Sequence, residues 1–309
     1  MKRLLALLLC VIFAFSLVGC GGEKPSEDGR LSIVVTAFPH YDFARQLTKD
    51  VENVEIKMLL SPGSEVHTYE PTPSDIVAVS SCDMFIYTGG ESETWANGIL
   101  DSSENENMKV VSLMDICGAD GNATEHQDHD HGHEYDEHVW TLPILSEAIC
   151  DEITRQLCEI DKDNSDKYKE NLGIYTEKLK ELDTEFSDIS ADADRDFIVV
   201  ADRFPFYHLA THYKLEYYAA FPGCSSSTEP SASVIAQLSD KVKNEKLPYV
   251  FTIEFSNQKI AKNVIKGTDA EILTLHSCHN VSKEDFDGGI TYYDLMKQNA
   301  ANLRKALCE

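Results

Sequence analysis

The sequence predicts an α/β fold of two similar lobes, each a four-stranded parallel sheet flanked by helices, joined by one long backbone helix. Three observations predict it. Short, mostly apolar runs rich in β-branched residues alternate with helical stretches, the mark of βαβ units whose strands are buried on both faces. The alternation occurs twice, once in each half of the chain. Between the two sets runs a single amphipathic stripe too long to belong to either.

In the first half the strands are Leu31–Phe38, Val54–Leu60, Asp83–Thr88 and Lys109–Ile116, with helices near 40–50, 73–81 and 93–100. Pro73, Ser74 and Asp75 open the second of these helices, since proline fits a first turn and an acid suits the positive end of the helix dipole. In the second half the strands are Phe197–Ala201, Leu215–Phe221, Tyr249–Phe255 and Glu271–His276, with helices near 204–213, 230–245, 256–267 and 291–307. The stripe is Tyr168, Leu172, Tyr175, Leu179, Leu182 and Phe186, spaced 4, 3, 4, 3 and 4 residues apart, which is helical periodicity. A helix from about 164 to 189 is roughly 39 Å long at about 1.5 Å per residue, enough to bridge two lobes and restrict their relative motion. The domains are thus an N-terminal lobe over 31–163, a linking helix over 164–190 and a C-terminal lobe over 191–309.

The start of the chain is a separate object. Lys2 and Arg3 precede an apolar run from Leu4 to Val18, the pattern of a secretory signal over residues 1–19, too short for a membrane span. Leu17-Val18-Gly19-Cys20 resembles the lipobox of bacterial lipoproteins, which implies lipidation of Cys20, with residues 20–30 as a polar tether and the mature chain anchored on the outer side of the cell membrane. With 27 Lys+Arg against 53 Asp+Glu the formal charge is −26, and removing residues 1–19, with two basic residues and no acid, leaves −28. Such a surface is repelled by phosphate backbones, which argues against nucleic-acid partners, and it attracts cations. Nine cysteines become seven once Cys10 and Cys20 are set aside: Cys82, Cys117, Cys150, Cys158, Cys224, Cys278 and Cys308. The compartment permits disulfides, but an odd number leaves at least one thiol without an intramolecular partner, and the sequence does not give the pairing.

The histidines carry the chemistry. Five of the eleven lie close together: His126, His129, His131, His133 and His138. Neutral imidazole is a good zinc ligand, and the interleaved acids strengthen the attraction for a divalent ion. The segment has no apolar period and contains Gly118, Gly121 and Gly132, so it reads as a His-rich loop over 118–137 that captures metal. Catalytic readings fare worse. His133-Glu134 is followed by His138 one residue too late for the H-E-x-x-H helix of zinc proteases, and no G-x-S-x-G, P-loop or G-x-G-x-x-G occurs. The chain reads as a non-enzyme.

Ser61-Pro-Gly-Ser-Glu-Val-His67-Thr-Tyr-Glu-Pro-Thr-Pro-Ser-Asp75 resembles the signature of the zinc/manganese solute-binding proteins of bacterial ABC transporters, with Val66 where that family has proline. Asp136-Glu-His138-Val-Trp140, Thr228-Glu-Pro-Ser-Ala232 and Ile290-Thr-Tyr-Tyr-Asp-Leu-Met-Lys-Gln-Asn299 are similar to its further motifs, in the same order. The resemblance covers about residues 31 to 309. It implies that His67 and His138 are metal ligands and that an ABC permease is the partner. The family's third ligand, a histidine, is Arg203 here; a guanidinium does not release its proton and is no ordinary ligand. The resemblance places His276 at the family's fourth position, an aspartate.

His67 and His138 fall beyond strand ends and His276 closes the last strand, all at the edge where open α/β sheets bind ligands. Three imidazoles with a water, thiolate or carboxylate make a tetrahedral site suited to Zn2+, with Mn2+ as the alternative. His279 is a possible replacement or helper for His276, and His40 lies near the same edge; His208 and His212 read as structural or exposed. Cys224 and Cys278 are expected to form a disulfide or to serve as thiolate ligands, and Arg203 to pair with Glu229 or Glu254. The expected protein is a monomeric, lipid-anchored receptor that captures zinc between its lobes and hands it to a permease. Manganese or iron binding, surface adhesion, and zinc hydrolysis with Glu70 or Glu137 as the base are the competing readings.

Overall fold

Strands that read as apolar on both faces pair in parallel and are covered by helices, as the alternation requires. The structure, a computed structural model of the chain, describes residues 29–64, 69–118, 136–221 and 230–309. Residues 1–19, Cys20, His67, His126, His129, His131, His133, Cys224 and Glu229 lie outside the described residues.

In the N-terminal lobe β1 (Leu31–Val35), β2 (Val54–Met58), β3 (Met84–Tyr87) and β4 (Lys109–Ser112) form one sheet in the order β2-β1-β3-β4. All its pairings are parallel, with Leu31 opposite Val54 and Ile33 opposite Met84. The C-terminal lobe repeats the plan with β5 (Phe197–Arg203), β6 (Glu216–Phe221), β7 (Tyr249–Thr252) and β8 (Glu271–Thr274), in the order β6-β5-β7-β8, again all parallel. Every residue of β3 is buried, as befits a central strand.

Several strands end earlier than their apolar runs. The run to Phe38 yields a strand only to Val35, because α1 (Phe38–Leu47) begins there with Pro39 in its first turn. The run Lys109–Ile116 divides at Ser112, whose hydroxyl accepts the Asp115 N–H and caps a helical turn, α3 (Leu113–Ile116). Apolar content alone does not tell a strand from the buried helical turn that follows it.

The helix that opens at Pro73, α2 (Pro73–Ser81), is capped as expected: Thr72 accepts from the Asp75 N–H, and the Asp75 carboxylate accepts from Thr72 N and Oγ. Tyr69 Oη and Lys57 Nζ reach the same carboxylate at 3.1 and 3.0 Å, which fastens the chain just beyond residues 65–68 to β2. A helix absent from the sequence reading, α4 (Pro143–Ile160), has 18 residues and buries Ile149, Ile153 and Leu157 four residues apart.

The long stripe forms α5 (Ser165–Asp192), 28 residues and about 42 Å at 1.5 Å per residue. Its first half holds the N-terminal lobe, where Asn171 Nδ2 donates to Leu47 O and Lys49 O at 2.9 and 2.8 Å. Its second half holds the C-terminal lobe: Phe186 stacks on Tyr213, and Ser190 Oγ donates to Tyr213 O at 2.7 Å. The last helix, α6 (Tyr292–Cys308), packs on α5 and returns to the first lobe, where Tyr292 N donates to the buried Asp42 at 2.7 Å. One continuous apolar core therefore runs through both lobes, from Ile33 and Trp140 through Tyr175 and Leu182 to Ile198 and Leu303. Smaller clusters cover the outer face of each sheet. No helix among the described residues is long and apolar enough to cross a membrane.

Candidate metal site

The carboxyl ends of both sheets face a cleft of about 200 Å³ lined by Gly63 and Ser64, by His138, by Asp202, Arg203 and Pro205 after β5, by Ile253–Ser256 after β7, and by Ser277, His279 and Asn280 after β8. Hydrogen bonds between the lobes close its floor. Asn280 Nδ2 donates to Ser61 O and Ser64 O at 3.0 and 2.9 Å, and Gly63 N donates to Val281 O at 2.8 Å. Phe38 N reaches His279 O at 3.2 Å, and Trp140 Nε1 reaches Ser277 O at 2.9 Å.

His138 is 2% exposed. Its Nδ1 lies 2.9 Å from Asp136 Oδ1, which also accepts the His138 backbone N–H at 2.8 Å. A proton on Nδ1 directed at this carboxylate leaves the ring's lone pair on Nε2, the carboxylate–histidine arrangement that orients metal-binding imidazoles. Burial pushes the Asp136 carboxyl up, but the His138 charge and its two hydrogen bonds, helped by His208, hold it below the ordinary aspartate value. His208, read as structural or exposed, is structural: its Nε2 lies 2.8 Å from Asp136 O and steadies the same segment.

The structure seats His279, rather than His276, against His138. The rings of His138 and His279 are 5.4 Å apart between centroids and nearly perpendicular, and Trp140 packs edge-on against both at 5.2 and 4.9 Å. His276 stands behind the cleft wall, its Nδ1 3.8 Å from the Glu254 carboxylate that lines it. Its Nδ1 accepts the Cys278 N–H at 2.9 Å, and its backbone N and O are held by Asn299 at 2.7 Å each. The turn explains the exchange, because Cys278 adopts a left-handed backbone, φ 62°, which swings the chain so that His279 and Asn280 face the cleft. Among the described residues no three of His, Cys, Asp and Glu gather closely enough to hold a metal; His67 is not among them.

The described cysteines lie elsewhere. Cys82, Cys117, Cys150, Cys158, Cys278 and Cys308 form no disulfide among the described residues. The Cys278 thiol is buried in the core, near His276 O, and burial, with the Glu254 and Asp42 charges, pushes its pKa well up, against thiolate formation. Arg203 and Glu254 both line the cleft. The Glu254 carboxylate accepts from Ser277 N at 2.8 Å and from the Ser277 hydroxyl, so it braces the turn that carries His279. The sequence reading gave no role to Trp140, Ser277 or Asn280. Trp140 stood within a quoted motif, whereas nothing in the spacing singled out Asn280.

His40 is fully buried behind Trp140, 5.8 Å away edge-on. Its Nδ1 accepts the Ala37 N–H and pairs with Thr36 Oγ1, while Nε2 has no hydrogen-bond partner among the described residues. Burial lowers its pKa from 6.5 to about 3. The unfolded chain takes up this proton near 6.5 and the folded chain refuses it until about 3, so stability present above 6.5 is lost as the pH falls through that window. The slope reaches about 1.4 kcal/mol per pH unit. Urea denaturation of His40→Gln between about pH 6 and 4 should show a slope shallower by about one proton; an unchanged slope would clear His40 of this role.

Comparisons with known proteins show the family and the fold. A family model described as zinc-uptake complex component A, periplasmic, matches residues 33–306. The chain is 32% identical over 314 residues to the high-affinity zinc uptake system protein ZnuA of Bacillus subtilis, covering 97% of each. It is 31% identical over 312 residues to the zinc-binding lipoprotein AdcA of Streptococcus pneumoniae, covering 99% of this chain but 61% of AdcA, so it spans about three fifths of that relative. Among solved structures, the metal-dependent lipoprotein YcdH of Bacillus subtilis superposes with a TM-score of 0.76 at 29% identity, covering 91% of this chain and 100% of that one. The Zn(II)-bound ZnuA-like domain of Streptococcus pneumoniae AdcA superposes with a TM-score of 0.75 at 27% identity, over the same shares.

Proposed function

Because the chain belongs to the family of zinc-uptake complex component A, periplasmic, whose members are binding proteins rather than enzymes, we propose that it captures Zn2+ between its lobes and delivers it to an ABC permease. It does so from a lipid anchor at Cys20, on the outer side of the cell membrane. The ligands are His138 and His279 with His67, and a water or carboxylate completes the tetrahedron. His276 holds the turn behind them.

One observation supports pairing His138 with His279, while His67 enters on its place in the family's motif. Two imidazoles bound at about 2.0–2.1 Å to one tetrahedral zinc hold their ring centres about 5 Å apart, and those of His138 and His279 are 5.4 Å apart. The donors are nitrogen atoms, which suit zinc better than manganese, whose sites are richer in oxygen. The shared core and the hydrogen-bonded floor favour capture by local ordering of side chains over wide lobe closure. Arg203, at the family's third ligand position, contributes charge to the cleft wall and no coordination bond.

Calorimetric titration of the mature chain should find one tight zinc site, and weaker sites that disappear when residues 122–135 are deleted. Manganese should bind the tight site at least about 100-fold more weakly. A tight site that prefers manganese would sink the zinc assignment, and the absence of any tight site would sink the receptor.

A further inference from the structure

Only Asp136 and Glu137 separate His138 from residues 119–135, the stretch that carries His126, His129, His131 and His133. The structure holds a fastening at the boundary. The turn after β3, Glu91–Glu93, is itself locked, because the buried Glu93 carboxylate accepts the Thr88 N–H at 2.6 Å and the Gly89 N–H at 3.4 Å. That turn presents the Ser92 N–H and hydroxyl, and both donate to the carboxylate of Glu137, the N–H at 3.0 Å. The notch is cut to fit. A Cβ on Gly90 would lie 2.2 Å from Glu137 Cδ and 2.3 Å from Oε1, closer than carbon and oxygen atoms can approach. Gly90 has an ordinary extended backbone, φ −95° and ψ −166°, so its lack of a side chain serves this approach and not a special turn.

Resting on the reading of His138 as a ligand, we propose that Glu137 is a positioning residue: its grip on the Gly90–Ser92 notch fixes the start of the Asp136–Trp140 segment and isolates His138 from the histidine tract before it. Asp136 and His208 orient the ring, and Glu137 anchors the backbone on which they act. Without the anchor, zinc must order this stretch on binding, and the cost falls on the affinity of the cleft alone.

The test uses the full-length chain and inorganic zinc against a chelator of known affinity. Glu137→Ala removes the carboxylate, Gly90→Ala evicts it with a methyl group from the opposite side, and Glu137→Gln keeps an acceptor for the Ser92 N–H. The first two should weaken the tight site about tenfold, the equivalent of ordering one further backbone residue, while the weak sites of residues 126–133 keep their affinity. Glu137→Gln should remain within about threefold of the unmodified chain. Cobalt(II) substituted for zinc should give the same absorption bands in all four proteins, since the ligands do not change. Unchanged affinity in Glu137→Ala would overturn the proposal even if Gly90→Ala fails to fold. Altered cobalt bands in Glu137→Gln would also overturn it, by making Glu137 a ligand. If the unmodified chain itself lacks a tight site, the receptor reading has failed instead.

Discussion

Replacing His279 with alanine should abolish tight zinc binding, while replacing His276 with alanine should leave it nearly intact. The two residues are three apart in one turn, yet only His279 faces His138 across the cleft. Losing a ligand outright costs more than the roughly 10–100-fold that follows loss of an outer partner of a metal-bound histidine, so the expected fall exceeds about 100-fold. His276→Ala removes the hydrogen bond from the Cys278 N–H to the ring, worth about 1 kcal/mol of stability, and the 3.8 Å contact of the ring with the Glu254 carboxylate. Its backbone bonds to Asn299 do not depend on the side chain. Competition titration of the two variants side by side decides the matter: retained affinity in His279→Ala with loss in His276→Ala would reverse the assignment.

Trp140→Ala should be the most damaging single change to the fold, by about 3–5 kcal/mol. The ring is fully buried and meets His40, His138 and His279 on its edges and faces. Its Nε1 donates to Ser277 O across the lobes, and its carbonyl accepts the Tyr292 hydroxyl at 2.6 Å. Truncation thus opens a cavity beside both imidazoles, strands the Ser277 carbonyl and weakens zinc binding at the same time. Trp140→Phe restores much of the volume but not the donor, and should recover about half of the lost stability. Denaturant melts of the metal-free variants measure the first effect and zinc titration the second. A Trp140→Ala chain as stable as the original would show that the indole is not the keystone between the lobes.

The architecture was legible because it rests on periodicity. Apolar runs such as Met84–Tyr87 and Tyr249–Thr252 can only be buried strands in this alternation, and the heptad-like stripe of α5 announces itself. The helix Pro143–Ile160 was just as periodic, in Ile149, Ile153 and Leu157, but it followed a polar tract and went unread. Strand ends were less legible, since Leu113 and Met114 are as apolar as the strand before them and only the Ser112 cap separates the two. The site was legible at His138, where a motif fixes the residue, and ambiguous over His276 and His279. What distinguishes those two is the left-handed Cys278 between them, a conformation that residue type does not advertise. Asn280 and Glu137 act through contacts with residues far away in sequence, at Ser61, Ser64 and Ser92, and no spacing rule reaches that far.

The apolar core shared by both lobes has a thermodynamic corollary. In a receptor with two independent lobes, ligand energy is stored as closure and returned when the jaws part. Here Tyr175, Leu182 and Leu303 belong to one packed body with both sheets, and parting the jaws would mean tearing the core. The cargo's binding energy therefore stays at the mouth of the molecule, in a handful of side chains. On the function proposed above, a transporter that unloads it would act as a picklock on those residues and leave the case of the molecule shut.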